Sequence, residues 1–192
     1  MSWDATKLAA ISTIGDALKE LLDRIGSLPA DAAFGSTGGI AIADILFELL
    51  VLADWRISNF NFQNGTSQFG STGAASWNFG DPRFTLSEAG LVQWGQSLEY
   101  ARFYILHELA HVTPAGQNFV RIANETGTDE SKVAAELWAN SFALLLYNTL
   151  FESNPPFGQA PEPGFSAEFF YQTSPGDPNG ETAEEAFEGC EP

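Results

Sequence analysis

Sulfur is almost missing from this chain: it has one cysteine, Cys190 close to the C-terminus, and one methionine. A lone thiol builds neither a disulfide framework nor a cysteine-based zinc site. Basic residues are scarce too, 8 Lys and Arg against 25 Asp and Glu, which leaves a net charge of −17 at pH 7. Such an excess of negative charge repels phosphate backbones and anionic bilayers, so no nucleic acid and no membrane surface is expected as a partner. Long hydrophobic runs are also lacking. The most apolar stretch, 40–53, is interrupted by Asp44 and Glu48 and is too short to span a bilayer. Met1 to Lys7 shows no basic segment leading into an apolar one, so no signal peptide is visible. The expectation is a soluble protein, cytoplasmic or exported by a route that needs no signal. Histidine is scarce as well, with two in 192 residues.

What is present suffices for a core. The chain is 44% hydrophobic with 16 Phe and 5 Trp, which excludes global disorder, and its length suits one domain with an appendage. Residues 3–27 predict an amphipathic helix, because Leu8, Ile11, Ile14, Leu18, Leu21, Leu22 and Ile25 recur at helical spacing before Gly26 and Pro29. A Gly-rich loop at 35–39 leads to a second apolar helix over about 40–54, and both helices read as packing elements. From Arg56 to Ser87 the period shortens. Ile57, Phe60, Phe62 and Phe69 alternate with polar residues, Asn64-Gly65 is a hairpin signal, and Trp77, Phe79 and Arg83 to Leu86 continue the pattern. A small antiparallel sheet of about three strands is expected there. The last segment, 152–192, holds seven of the ten prolines, nine acidic residues and no Lys or Arg, the composition of an extended, solvated tail. Only its cluster Phe165, Phe169, Phe170 and Tyr171 is too aromatic for a plain linker. The expected organisation is therefore α+β: one domain over 1–151, built of N-terminal helices (1–55), a small sheet (56–87) and two further helices (88–151), followed by the tail.

Both histidines fall in one pentapeptide, His107-Glu108-Leu109-Ala110-His111. Two histidines scattered at random over this length fall four apart roughly once in 100 chains, and Glu follows the first roughly one time in 12. Four residues is about one helical turn, so two imidazoles at this spacing share a face and can share a metal ion. The carboxylate beside the first can take a proton from a water on that metal. Leu98, Ala101, Ile105, Leu109 and Val112 supply a helical apolar stripe through the motif, with Pro114 and Gly116 ending the run. Tyr100 and Tyr104 lie on the histidine side and are expected to pack there. An open catalytic metal site needs a third protein ligand. Glu125, Asp129, Glu130 and Glu136 follow closely enough to compete. Glu125 lies in a polar connection, and Asp129 and Glu130 sit in a helix first turn, where the dipole explains them. Glu136 stands inside the apolar run Val133 to Tyr147, where a carboxylate is costly unless it is paired or binds metal. Asn140, one turn on, is placed to accept the outer N–H of a ligating histidine.

HExxH followed by a helix bearing Glu, with Asn one turn further on, resembles the gluzincin branch of the zinc metallopeptidases. Glu136-Leu-Trp-Ala139-Asn140-Ser-Phe142-Ala143 is similar to a signature of the small ImmA/IrrE-type metallopeptidases. The resemblance covers about residues 82–150. It implies a zincin-like minimal metallopeptidase fold, with the small sheet packed on an active-site helix and a second, ligand-bearing helix. It further implies Zn2+ held by His107, His111 and Glu136, Glu108 as general base, and Asn140 orienting a ligand. The metzincin pattern fails, because Pro114 and Gln117 stand where that branch needs Gly and His. The expected activity is hydrolysis of a peptide or protein substrate by Glu-assisted attack of zinc-bound water, with the strand near 83–86 pairing with the substrate backbone. No histidine remains to stabilise an oxyanion. That keeps an alternative open, a non-catalytic metal-binding or protein-interaction module with a relict site.

Overall fold

A computed structural model describes residues 4–29, 34–52, 54–58, 75–78 and 81–155. Helix α1 (Ala5–Gly26) starts where the Asp4 side chain accepts from the Lys7 N–H at 2.9 Å, an N-cap that satisfies one of the free donors of the first turn. Ala10, Ile14, Ala17, Leu21 and Ile25 form its buried stripe. The Gly-rich segment is a small hairpin instead of a loop, with β1 (Ser36–Thr37) antiparallel to β2 (Ile40–Ala41). Gly38 and Gly39 turn it at φ 55° and 79°, a pair of left-handed conformations that a two-residue hairpin requires and side chains resist. Helix α2 (Ile42–Leu52) buries Ile42, Ala43, Leu46 and Leu50.

The sheet departs from expectation. Strands β3 (Asp54–Ser58), β4 (Ala75–Asn78) and β5 (Asp81–Ser87) are ordered β3-β5-β4. β4 is antiparallel to β5, as a short hairpin connection dictates, but β3 runs parallel to β5 with Trp55 opposite Phe84. The sheet is mixed, not antiparallel. The intervening 59–80 stretch is long enough to return the chain for a parallel pairing, which a two-residue turn cannot do. β5 is therefore the central strand, hydrogen-bonded on both sides, and the 83–86 segment has no free edge to offer a substrate. The Asn64-Gly65 turn, Phe60, Phe62, Phe69 and Phe79, and the Phe165–Tyr171 cluster lie outside the described residues.

Four helices complete the described residues: α3 (Glu88–Trp94), α4 (Leu98–Val112), α5 (Pro114–Thr126) and α6 (Asp129–Phe151). Ser97 caps α4 by accepting from the Tyr100 N–H. Pro114 does end α4, yet it also opens a helix. Proline suits the first helical position because its missing N–H would have no partner there, and Thr113 caps α5 just ahead of it. The stretch read as a polar connection is thus helical, and Glu125 sits in its last turn. Gly127 ends α5 at φ 65°, and Thr128 caps α6; Asp129 and Glu130 lie in the first turn, where the sequence places them.

One buried cluster runs through all six helices and Leu86 of β5. Its centre is α4, which packs against α1, α2, α3, α5, α6 and β4. Ala101, Phe103, Ile105, Leu106, Leu109, Ala110 and Val112 are all buried, more than the single stripe the spacing indicates. Phe119 of α5, Trp138 and Phe142 of α6 form a continuous stack with centroids 5.1 and 5.2 Å apart. At the far end, Glu20 accepts from Arg24 Nε at 3.0 Å and Arg102 Nε at 2.9 Å, and both guanidinium groups lie over the Phe151 ring. That knot ties α1, α4 and the end of α6 together. No helix among the described residues is long and apolar enough to cross a membrane.

Candidate metal centre

His107 and His111 occupy the last two turns of α4, one turn apart on the side that faces α6. Their neighbours in sequence, Leu106, Leu109, Ala110 and Val112, are buried and fix the rotation of the helix about its axis. Glu136 stands two turns into α6, between the buried Ala135 and Trp138. The close packing of α4 on α6 brings the three side chains together. His107 Nε2 and His111 Nε2 are 3.1 Å apart, Glu136 Oε2 is 3.3 Å from the first, and Glu136 Oε1 is 3.5 Å from the second. Ligands about 2.0–2.1 Å from a tetrahedral ion are separated from one another by about 3.3 Å, so these edges are those of a tetrahedral face. His107, His111 and Glu136 are positioned to hold a metal ion.

The imidazoles keep 12% and 13% of their side-chain surface, whereas Glu136 keeps 53%, so the centre is open on the α6 side and closed behind the histidines. Phe103, one turn before His107 and 6.3 Å from its ring, belongs to the closed wall. The i, i+4 spacing of Phe103 and His107 carries this contact in the sequence, but nothing in the pattern separates it from ordinary core packing.

The charges respond to this setting. Partial desolvation pushes the Glu136 carboxyl upward, but hydrogen bonds from His107 and His111, and their charges, outweigh it and hold the group well below the usual carboxylate range. Glu108 behaves oppositely. Burial pushes its carboxyl up, His107 pulls it down and the Glu136 charge raises it again, leaving it at about 7. Two carboxyls in one centre are thereby separated in role: one stays ionised and turned to the imidazoles, the other exchanges a proton near neutrality.

The competing carboxylates are placed otherwise. Glu125 pairs with Arg121 at 2.9 Å, Asp129 lies 3.8 Å from Lys132, and Glu130 is exposed. Asn140 follows Glu136 by one turn but makes no hydrogen bond to either histidine among the described residues. The Nδ1 atoms of His107 and His111 are both buried without a partner. The expected orienting contact from Asn140 is therefore not made in this structure. Tyr104 is stacked on Trp94 at 5.5 Å with its hydroxyl accepting from Gln93. Tyr147 is buried against Phe151. No family model, no curated protein and no solved structure matches this chain.

Proposed function

We propose that the protein is a zinc-dependent peptidase, with His107, His111 and Glu136 as metal ligands and Glu108 as the proton-transferring base. The observation that carries this reading is the triangle of donor atoms, 3.1, 3.3 and 3.5 Å on its sides, beside a carboxyl held at about 7. Two imidazoles and a carboxylate without thiolate suit zinc, and three protein ligands leave a coordination position free, as a catalytic ion needs. A zinc ion held there supplies Lewis acidity, polarising a carbonyl and lowering the pKa of a water molecule. Glu108 does the proton work. Its carboxylate takes up a proton as the nucleophile forms, and at neutral pH it returns that proton to the leaving amine at little cost. Glu136, held ionised, offsets the positive charge of the centre.

A peptide is the favoured substrate class, because the backbone of β4 lies against α4 and β4 is an edge strand of its sheet among the described residues. An extended peptide can add to such an edge by main-chain hydrogen bonds, which a compact small molecule cannot match. A non-catalytic metal-binding module is the second reading. It is favoured by the engagement of Tyr104 with Trp94 and of the buried Tyr147 with Phe151, which occupies both rings in aromatic contacts. Glu108→Gln separates the two. Glutamine keeps the shape and cannot accept the proton, so the variant should bind zinc as the parent does and lose cleavage of a mixed peptide library by at least about a hundredfold. Equal cleavage by variant and parent would sink the peptidase reading.

A further inference from the structure

Thr113 is the one fully buried polar residue among the described residues. It closes α4 and opens α5 at the same time. Its N–H reaches Leu109 and Ala110 carbonyls at 3.2 Å each, its hydroxyl donates to the Ala110 carbonyl at 2.7 Å, and the same oxygen accepts from the Gly116 N–H at 3.1 Å. Gln117 adds a bond from Nε2 to the Val112 carbonyl at 2.9 Å. The last turn of a helix normally leaves its carbonyls without partners and frays. Here that turn carries His111, and the carbonyls of Leu109, Ala110 and Val112 are all occupied by Thr113 and Gln117. Gly116 makes the approach possible. A Cβ at this position would fall 2.0 Å from the Ala110 oxygen and 2.9 Å from the His111 carbonyl carbon.

The other end of the same connection reaches Glu136. Helix α5 packs on α6 through Phe119, whose ring stacks on Trp138 at 5.1 Å, two residues after the carboxylate. The connection between the helices that bear the ligands is therefore a brace and not a loop. We infer that Thr113 is a positioning residue for the metal centre, fixing the last turn of α4 to α5 so that His111 keeps its distance to Glu136. A ligand set has to be held within about 0.5 Å of its productive geometry, and a fraying terminal turn does not hold it.

This inference rests on the reading of His107, His111 and Glu136 as ligands. Its test uses the full chain, zinc titration against a competing chelator, and the visible absorption of the Co2+-loaded protein. Measurements are made at a temperature where circular dichroism shows each variant folded. Thr113→Val keeps the shape and deletes both hydroxyl hydrogen bonds. It should weaken zinc binding by about tenfold or more, the range seen for residues that orient ligands, and change the Co2+ spectrum. Thr113→Ser restores the hydroxyl and should return both to within about threefold of the parent. If Thr113→Val does not fold, Gln117→Met removes only the bond to the Val112 carbonyl and should weaken binding severalfold. Parental affinity and an unchanged spectrum in Thr113→Val, or in Gln117→Met where that substitute is needed, overturn the inference while leaving the metal reading standing. A parent protein that takes up neither zinc nor Co2+ overturns the metal reading and this inference with it.

Discussion

At the level of single residues, the centre is defined by contrasts between side chains of the same kind. Glu136 and Glu125 are both helical glutamates within reach of His111 in sequence, but Glu125 is neutralised by Arg121 while Glu136 faces two imidazoles. Glu136→Ala removes one of the three proposed ligands and should lower zinc affinity by orders of magnitude, whereas Glu125→Ala should leave it within about threefold. Asn140→Ala should also leave it nearly unchanged, since Asn140 does not reach a histidine in this structure. Competition with a chromophoric chelator measures all three. Glu108 makes a prediction about stability in metal-free protein. Its folded pKa of about 7 lies above the ordinary 4.5, so the proton is bound more tightly by the folded state. The stability this contributes is complete below about pH 4.5 and is lost as pH rises through 7. Glutamine has no such dependence. Metal-free Glu108→Gln should match the parent near pH 4.5 and exceed it by about 2–3 kcal/mol at pH 8, read by urea unfolding at the two pH values. Equal stability of parent and variant at both would show that Glu108 is solvated. Glu136, held low, acts in the opposite sense: it stabilises above its ordinary pKa and is lost as pH falls, but it is common to both proteins and cancels in the comparison.

At the level of elements, what an added methyl would meet differs from glycine to glycine. Gly95, between α3 and α4, meets α1 so closely that a Cβ would lie 2.3 Å from Ala10 Cβ and 2.4 Å from its Cα. Backbone has to move to admit it, so Gly95→Ala should destabilise by about 1–3 kcal/mol. Gly15 lies inside α1, where an added methyl would meet nothing within 4 Å, and there the only change is backbone entropy. Gly15→Ala should stabilise by about 0.5–1 kcal/mol. Chemical denaturation of the pair checks both signs. The second feature at this scale is the knot of Glu20, Arg24, Arg102 and Phe151. One carboxylate serves two guanidinium groups that share an aromatic face, so Glu20→Ala leaves two cations side by side. The groups are partly exposed, which limits the expected loss to about 1–2 kcal/mol. That loss should shrink in high salt, which a salt series of unfolding curves would show.

For the molecule as a whole, the question is where the cooperative unit ends. The buried cluster closes at Leu150 of α6, and Pro155 is the last buried residue described. A chain cut after Pro155 should unfold in one cooperative transition and bind zinc as the full chain does. Calorimetry and zinc titration of 1–155 test this. A broad transition would place Phe165, Phe169, Phe170 and Tyr171 in the core. The cut also removes acidic residues without any compensating base, which reduces the self-repulsion of a chain at −17.

Local periodicity and rare residues carry the parts of this protein that can be read in one dimension. The helical repeats of α1, α2, α4 and α6 are legible because each buries apolar side chains at a spacing of three or four. The motif at 107–111 is legible because the only two histidines stand one turn apart. Glu136 can be singled out because an uncompensated carboxylate inside an apolar helix needs a reason. The sheet order is not legible, since a strand's partners are set by where a long connection returns and strand periodicity is the same for either direction. Helix α5 is hidden because Pro114 and Gly116 read as a stop, although proline also begins helices and this glycine serves a close approach to Ala110. Whether Asn140 meets a histidine depends on how α6 packs on α4, which no spacing along the chain contains. The distances from Glu136 to the histidines belong to three dimensions alone, because they arise from helices joined through Thr113 and braced by Phe119 on Trp138. A one-chain pattern names donor atoms, and packing decides whether they lie on one tetrahedral face.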